Sequence, residues 1–394
     1  MRGRTPIVLA DDLTGACEVA AVVHRRGLAA EVCLDAGQPA GDTDVLVVDT
    51  DTRLLNGEKA ARRVAECLSA LRQLDGSGPL LFKKIDSVLR GPVAAELGAA
   101  AECLGFARAL VVPANPVLGR SIEGGRYRIN GIPLHKTDFA RDPHHPARTD
   151  EVAALLGDGG LRPVVSLRRG EALPVRGIAA GDAASAEDLA AWASCLDDST
   201  LAAGSAAFFT AVLQRNRDFV DPVESHGAPR APGAPTLLVS GTTAASAQHL
   251  LAAAFGPGHP HDRLAKGDIA QWAESLRAKL AADGVAAAFP ARVDSPDPAD
   301  ATAVAAALAE VAYHVSSGHD NIHLIVEGGA TAVTVARRLG WTRLCVICEW
   351  SPGVVSLSPR EAPHATFTLK PGSYPWPPAV HDLLTNTQPE PAQT

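Results

Sequence analysis

Three short apolar runs near the start of the sequence each end in a group of charged residues. The groups are Asp11 with Asp12, Asp51 with Arg53, and Lys84 with Asp86 and Arg90. Two adjacent carboxylates at the end of a buried strand are costly to remove from water without a partner. In open α/β sheets, ligands bind at the carboxyl ends of the strands. The three groups therefore predict one site for a polar, anionic small molecule, and we expect the protein to be an enzyme.

Two of the groups also have a simpler interpretation. Asp12 could only cap the helix that follows it, and the residues from Lys83 to Arg90 could form a surface salt-bridge cluster. One cap does not require two carboxylates, however. In a strand, Lys84 and Asp86 would face the same way, and Arg90 follows within reach. We therefore favour an anion clamp beside a carboxylate, because an arginine fork supplies a geometry that a lone lysine lacks.

The second half of the chain contains two turns in which glycine lies between a predicted strand and a predicted helix. They are 240–243 (Ser-Gly-Thr-Thr) and 328–331 (Gly-Gly-Ala-Thr). Backbone N–H groups at a helix N-terminus suit phosphate, so the two turns together indicate a phosphate site. The sequence contains neither a P-loop motif nor a GxGxxG fingerprint. HExxH and GxSxG are also absent, so zinc proteolysis and acyl transfer by a serine lack support.

The composition is that of a globular protein. The 394 residues are 46% hydrophobic and 20% charged, with a net charge of −8. The negative charge and an aromatic content of 4% disfavour broad nucleic-acid binding. No run approaches a membrane span or a signal peptide, and seven cysteines in mostly apolar contexts favour reduced thiols and a cytoplasmic protein. Cys345 and Cys348 form a CxxC pair that we interpret as core packing.

The predicted elements alternate between strands and helices. This rhythm predicts an α/β fold with largely parallel sheets flanked by helices, in two domains. The predicted strands are 7–10, 45–49, 80–85, 109–112, 200–203, 237–239 and 324–326, and the predicted helices are 14–26, 57–74, 93–104, 205–214, 244–255 and 332–339. The segment 113–146 lacks periodicity, and its charged and aromatic residues favour a substrate-site loop. We divide the chain into a domain at 1–215, a linker at 216–235, a domain at 236–380 and a tail at 381–394.

The N-terminal motifs resemble those of the four-carbon acid sugar kinases, the tetronate kinase family. The resemblance lies in ADDLTGA at 10–16, DTDTR at 49–53, KKIDSVLRG at 83–91 and PANPxxGR at 113–120. The C-terminal resemblance is looser and covers Ser240-Gly241, the segment 328–331, Pro352-Gly353 and 370–372. Together the two resemblances imply an N-terminal domain that binds the sugar acid and a C-terminal domain that binds the nucleotide, with the two sites facing each other across an interdomain cleft.

The resemblance implies an ATP-dependent kinase that phosphorylates the terminal hydroxyl of threonate, erythronate or a 3-oxo-tetronate. ATP and Mg²⁺ would be the cofactors, with no assigned metal ligand. Nucleic acid and membrane would not be partners, and a homodimer is left open. The implied catalytic residues are Asp86, Asp12, Lys84 and Arg90, with Asp86 ahead of Asp12 as the base. Substrate would contact Asp11, Asp12, Asp51, Arg53 and Arg120. Nucleotide would contact Ser240, Thr242, Thr243, Gly328, Gly329, Ala330, Thr331 and Gly372.

Two alternatives stay open at this point. The segment 370–377 departs from the family pattern at Pro371 and Pro375, and proline removes a backbone donor. A sugar-acid-binding protein without kinase activity is therefore the first alternative. A nicotinamide-dependent dehydrogenase is the second, although the glycine fingerprint is missing. The sequence does not name the C4 acid, because epimers differ only in hydroxyl placement.

Overall fold

The computed structural model describes residues 5–37, 42–73, 77–142, 144–157, 160–215, 234–241, 266–290, 298–372, 374–378 and 380. The chain divides into two compact units, Met1–Val223 and Glu224–Thr394. Nearly all of the predicted linker at 216–235, and the whole predicted tail at 381–394, lie outside the described residues. Among the described helices, none combines the length and the apolar character needed to cross a bilayer.

In the first unit, eight of the described strands form one sheet, and all the pairings seen among them are parallel. Its strands are β1 (Thr5–Ala10), β2 (Ala30–Cys33), β3 (Val45–Asp49), β4 (Ser77–Lys84), β5 (Arg108–Val112), β9 (Val164–Leu167), β10 (Gly177–Gly181) and β11 (Thr200–Gly204). They lie in the order β2-β3-β1-β4-β11-β5-β10-β9. The predicted α/β class with a largely parallel sheet is confirmed.

The described residues of this unit include six helices. They are α1 (Leu13–His24), α2 (Gly57–Gln73), α3 (Val93–Leu104), α4 (Val152–Leu156), α5 (Ala186–Ser194) and α6 (Ala206–Arg215). The chain leaves β1 through α1 towards β2, and leaves β4 through α3 in the opposite direction towards β5. The neighbouring strands β1 and β4 therefore flank a topological switch point, which is where a crevice opens at the carboxyl edge of such sheets.

Local sequence explains the elements on either side of that point. Strand β1 is buried from Ile7 to Ala10, as expected for a strand covered by helices on both faces. Helix α2 has the amphipathic pattern, with only Ala60, Val64, Cys67, Leu68 and Leu71 buried. Helix α3 begins after Pro92 and ends at Gly105, whose φ of +81° is the left-handed conformation that terminates helices.

No bounds were predicted from the sequence for β2, β9, β10, α4 or α5. Strand β2 was not predicted, because its four residues, Ala-Glu-Val-Cys, carry too little pattern to distinguish them from a loop. The segment 113–146 is not a structureless loop either. It holds β6 (Arg120–Glu123), β7 (Arg126–Ile129) and β8 (Ile132–Pro133) in a small antiparallel sheet, with 3₁₀ turns at Pro116–Leu118, Leu134–Lys136 and Asp138–Arg141.

In the second unit, six strands within the described ranges form a mixed sheet. Its strands are β12 (Thr236–Ser240), β13 (Val285–Ala288), β14 (His323–Glu327), β15 (Arg343–Ser351), β16 (Val354–Pro359) and β17 (Thr366–Lys370), in the order β13-β12-β14-β17-β16-β15. Strands β13, β12, β14 and β17 are parallel to one another. Strand β16 is antiparallel to both of its neighbours, β17 and β15. The described helices are α7 (Lys266–Asp283), α8 (Pro298–Ser316) and α9 (Gly329–Arg338). The predicted helix at 244–255 lies outside the described residues.

Candidate functional site

Asp12 lies where β1 gives way to α1. Its Oδ1 accepts a hydrogen bond from the Gly15 amide at 2.8 Å, and its Oδ2 accepts one from the Thr14 hydroxyl. The side chain therefore does cap α1, which satisfies one of the free N–H groups of the first turn. Gly15 is required here, because a Cβ would lie 2.8 Å from Asp12 Oδ1 and 3.1 Å from Lys84 Nζ.

Arg53 connects the carboxylates that follow β1. Its Nε lies 2.8 Å from Asp11 Oδ2 and its Nη2 lies 2.9 Å from Asp11 Oδ1, which is a two-bond fork. The remaining nitrogen, Nη1, donates to Asp12 Oδ2 at 2.6 Å and lies 3.8 Å from Asp86 Oδ1. The structure thus places Asp12, Arg53 and Asp86 together, at the carboxyl ends of three neighbouring strands.

Arg90 holds Asp86 in a second fork. Arg90 Nε lies 2.9 Å from Asp86 Oδ2 and Nη2 lies 2.9 Å from Asp86 Oδ1. The amide of Arg90 also donates to Asp86 Oδ2 at 3.0 Å. The turn between them is tight, since Leu89 has a φ of +63°, and Gly91, directly after Arg90, has a φ of +90°. The sequence predicted that the Arg90 fork would bind an anionic substrate. In the structure, the carboxylate of Asp86 already occupies this fork.

These pairings set the charge states of the site. Burial alone would raise the pKa values of Asp11 and Asp86, but the positive charges outweigh it. Arg53 lowers the pKa of Asp11, and Arg90 together with Arg53 lowers the pKa of Asp86 well below its usual range. A carboxylate with a strongly depressed pKa is a weak base. The surroundings of Asp86 therefore argue against its sequence-based ranking as first choice for the base.

Lys84 is buried beside α1. Its Nζ lies 3.2 Å from Glu18 Oε2 and donates to the carbonyl of Ile85 at 3.1 Å. Lys83 points elsewhere and pairs with Glu96 at 2.6 Å, with both side chains essentially inaccessible to solvent. Neither glutamate was predicted as part of the site, because each lies inside a helix without a motif of its own.

The segment after β8 is attached to the same arginines. Asp142 Oδ2 accepts from Arg90 Nη1 at 3.2 Å, and its Oδ1 accepts from the amides of His144 and His145 at 3.0 and 2.8 Å. The His145 ring lies 2.7 Å from the carbonyl oxygen of Arg53. Asp142 thus attaches the segment 113–146, which the sequence predicted as a substrate-site loop, to Arg90.

Two further predicted residues have different surroundings. Arg120, at the start of β6, donates from Nη1 to the Ser87 hydroxyl, and its guanidinium carbon lies 5.9 Å from the centre of the Phe139 ring. Asp51 occupies a left-handed turn with a φ of +50°, where its amide donates to Asp49 Oδ1 at 2.9 Å. The structure thus brings Arg120 to the Asp86 turn, whereas the proposed role of Asp51 stays a prediction.

In the second unit, three adjacent strands also end in polar residues. Glu327, at the end of β14, accepts from the Ser240 hydroxyl at 2.6 Å and pairs with Lys370 Nζ at 2.6 Å. Glu327 and Lys370 each have only 2% of the side chain exposed. The Lys370 ammonium also lies 4.9 Å from the centre of the Trp376 ring. Ser240 and the segment 370–372 were identified from the sequence, whereas the pairing of Lys370 and Ser240 with Glu327 was not predicted.

The two glycine turns approach each other. A Cβ built on Gly241 would lie 2.3 Å from Thr331 Oγ1, so only glycine allows this contact. Gly328 has a φ of +98° and precedes α9, whose first residues are Gly329 and Ala330. Thr242 and Thr243 lie outside the described residues. Gly372 is exposed, and a Cβ there would meet nothing within 4 Å.

The described parts of both units contain no ready-made metal centre. No group of three or more His, Cys, Asp or Glu side chains that could hold a metal ion is found there. Mg²⁺ usually keeps several waters and binds through one or two carboxylates plus substrate phosphates. Asp12 is the most exposed of the three clustered carboxylates, at 17% against 2% for Asp11 and 7% for Asp86. The donor set therefore fits Mg²⁺ that is held mainly by a nucleotide.

Comparison with known proteins gives a match to two domain models. Residues 6–212 match a sugar-binding N-terminal domain, and residues 261–374 match a nucleotide-binding C-terminal domain. The chain also resembles a solved structure of a protein from Salmonella typhimurium LT2, with a TM-score of 0.77, 19% identity, and coverage of 98% of this chain and 100% of that chain. That similarity supports the fold.

Two relatives are informative. A D-threonate kinase of Salmonella typhimurium is 36% identical over 151 residues, which cover 38% of this chain and 36% of the relative. The match thus spans about a third of that relative's length. A D-threonate kinase of Bordetella bronchiseptica is 30% identical over 380 residues, which cover 88% of each chain. With the sugar-binding and nucleotide-binding models, these matches confirm the predicted resemblance: the chain belongs to the four-carbon acid sugar kinase family.

Proposed function

We propose that the protein is an ATP-dependent kinase that phosphorylates the terminal hydroxyl of a four-carbon sugar acid. The observation that carries the proposal is the cluster of Asp12, Arg53 and Asp86 at the carboxyl ends of β1, β3 and β4. It lies at a topological switch point in a unit that matches a sugar-binding domain. Relatives named D-threonate, D-erythronate and 3-oxo-tetronate kinase support threonate, erythronate and 3-oxo-tetronate as candidate substrates.

The first unit would hold the sugar acid and the second unit ATP. Carboxylate oxygens are good acceptors for sugar hydroxyls, and the cluster presents them in a fixed geometry. In the second unit, the turns at Gly241 and Gly328 would bring backbone N–H groups to the phosphates. Thr331 and the exposed Gly372 would contribute to the same wall. Mg²⁺ bound to the phosphates would supply charge neutralisation during transfer.

Asp12 is the residue that we assign as proton acceptor. Asp11 and Asp86 are each held by a two-bond guanidinium fork, whereas Asp12 receives a single N–H of Arg53. Asp12 Oδ1 accepts from only the Gly15 amide among the described contacts, so one lone pair remains for a substrate hydroxyl. The hydroxyl proton would pass to Asp12 as the new O–P bond forms. The bond from the γ-phosphorus to the β–γ bridging oxygen breaks, and ADP leaves.

The direct test is ADP release from purified protein with ATP, Mg²⁺ and a panel of the D and L forms of threonate and erythronate plus 3-oxo-tetronate. We expect turnover with one or a few members, and a product whose phosphorus NMR signal couples to the protons of the terminal carbon. The Asp12→Asn variant is the matched negative control. Turnover of no panel member, with no binding of any of them, would overturn the proposal.

A sugar-acid-binding protein without kinase activity is the second candidate. One observation favours it: the Lys370 ammonium is neutralised by Glu327 and is therefore poorly placed to pair with phosphate. Calorimetry separates the two candidates. Sugar-acid binding together with ATP binding supports the kinase, whereas sugar-acid binding with no response to ATP or ADP in Mg²⁺ supports the binding protein. An NAD(P)H absorbance assay tests the dehydrogenase alternative from the sequence analysis.

A further inference from the structure

Three arginines surround the turn that carries Asp86, and they differ in their partners. All three guanidinium nitrogens of Arg53 donate to carboxylates, and the same is true of Arg90. Arg120 donates only to the Ser87 hydroxyl and otherwise lies against the Phe139 ring. Among the described residues, no carboxylate pairs with Arg120.

The carboxylates around Arg53 and Arg90 outnumber these two arginines, which makes Arg120 the better partner for an anionic ligand. Asp11, Asp12, Asp86 and Asp142 supply four negative charges around Arg53 and Arg90, which supply two positive charges. The neighbouring pairs Lys83–Glu96 and Lys84–Glu18 each add one charge of either sign and leave that excess unchanged. An incoming carboxylate would therefore be repelled on the Asp11–Asp12 side. Arg120 presents an uncompensated cation with most of its five donors available. A planar guanidinium of this kind matches a carboxylate better than an ammonium does.

Arg120 is also held in position before any ligand arrives. The phenol of Tyr127, a fully buried side chain, donates to the carbonyl of Ser87 at 2.6 Å. This contact fixes the residue that accepts from Arg120, and the Phe139 ring lies beside the guanidinium. A side chain that is already ordered loses little conformational entropy when a ligand binds.

We propose that Arg120 binds the carboxylate of the sugar acid and so sets the direction of the substrate, with its terminal hydroxyl towards Asp12. This inference rests on the proposed function and deepens it. A C4 acid has a carboxylate at one end and the hydroxyl to be phosphorylated at the other. The site has a matching polarity, with an unpaired cation at the Ser87 end and the more exposed carboxylate at the Asp12 end. Arg120 would thereby separate sugar acids from neutral tetritols.

The test compares binding and turnover of C4 acids with those of erythritol and threitol, in the wild type and in Arg120→Gln and Arg120→Lys. In Arg120→Gln we expect the Kd of the preferred acid to rise about 10- to 100-fold, the loss expected for a hydrogen bond to a charged group. The KM should rise with little change in kcat, because the carboxylate is bound equally in the ground state and the transition state. Arg120→Lys should recover part of the loss.

Arg128→Gln is the matched control, since Arg128 lies on the adjacent strand and its described hydrogen bond is to the carbonyl of Gly131. It should keep wild-type preference for the acid over the tetritols. Thermal unfolding checks that each Arg120 variant is folded. If Arg120→Gln is not folded, Arg120→Lys alone tests the inference, through the ratio of its affinity for the C4 acid to its affinity for the tetritols. A folded variant that keeps the wild-type ratio would overturn the inference while the proposed function stands. A wild type that binds no C4 acid would overturn both.

Discussion

Arg53 donates two parallel hydrogen bonds to Asp11, from Nε to Oδ2 at 2.8 Å and from Nη2 to Oδ1 at 2.9 Å. The two residues are 42 positions apart in the chain. Only 2% of the Asp11 side chain is exposed. Burial on its own would lower the pKa of Arg53, but Asp11, Asp12 and Asp86 together raise it. The guanidinium is therefore a permanent cation around which three strand ends are organised, and both the stability and the geometry of the site depend on it.

Replacing Arg53 by lysine tests the fork itself. Arg53→Lys keeps the charge but cannot make both bonds to Asp11, so we expect a loss of about 1–3 kcal/mol in the free energy of unfolding, measured in urea. Arg62→Lys is the control, because Arg62 and Glu66 form a 3.9 Å surface pair with both side chains 63% exposed. That change should stay within about 0.5 kcal/mol. Equal effects of the two variants would show that the fork contributes nothing beyond charge.

Asp12→Asn tests the proton acceptor separately from the helix cap. Asparagine caps helices about as well as aspartate, so the cap of α1 is kept, while loss of the charge pair with Arg53 should lower the free energy of unfolding by about 1–3 kcal/mol. We expect kcat to fall by about 10²- to 10⁴-fold, because the amide cannot accept the proton. Ser185→Ala is the opposite control. It removes the capping box of α5, so it should cost about 1 kcal/mol of stability and leave kcat unchanged. A loss of kcat below about tenfold in Asp12→Asn would move the proton acceptor elsewhere.

The charged site predicts how stability depends on pH. The folded-state pKa values of Asp11 and Asp86 are lowered, so below the ordinary value of 3.8 the unfolded chain binds protons that the folded chain does not. Their contribution is present above that value and is lost as pH falls through the folded-state pKa. The free energy of unfolding should therefore decline as pH is lowered from about 5 to 3. A flat profile over that interval, or a slope unchanged in a folded Asp86→Asn variant, would contradict this prediction.

Gly241→Ala tests the contact between the two turns of the second unit. The new methyl group would lie 2.3 Å from Thr331 Oγ1, so we expect overpacking to cost about 1–3 kcal/mol. Adding Thr331→Ala removes that oxygen and leaves the Thr331 Cβ, at 3.5 Å, as the nearest atom. The double variant should therefore recover part of the stability in chemical denaturation. If the second substitution restores nothing, the turns are not in contact in solution.

Gly372→Ala separates a role in ATP binding from a role in folding. A Cβ at this position meets nothing within 4 Å, so the free energy of unfolding should stay within about 0.5 kcal/mol of wild type. If Gly372 lines the nucleotide site, calorimetry should show weaker ATP binding and unchanged sugar-acid binding. An unaltered ATP affinity would remove Gly372 from the predicted nucleotide-contacting residues.

The sequence by itself determined the α/β class and the convergence of the charged groups. The carboxyl ends of parallel strands lie at one edge of a sheet, so the residues after β1, β3 and β4 had to meet once those strands were recognised. The bounds of α3 followed in the same way, since Pro92 and Gly105 mark its two ends. Such features depend on local pattern and on the handedness of strand connections, both of which can be read from neighbouring residues.

Only the tertiary structure decided which charges pair. The partners Arg53 and Asp12 are 41 residues apart in sequence, and Arg90 and Asp142 are 52 apart. Their pairing depends on strand register and on the return of the segment after β8 to the site. The same holds for Arg120, which differs from Arg53 and Arg90 only in what surrounds it. A guanidinium is the same group at every position of a sequence, and the carboxylates that the fold brings to it determine whether it stabilises the protein or is left to bind a ligand.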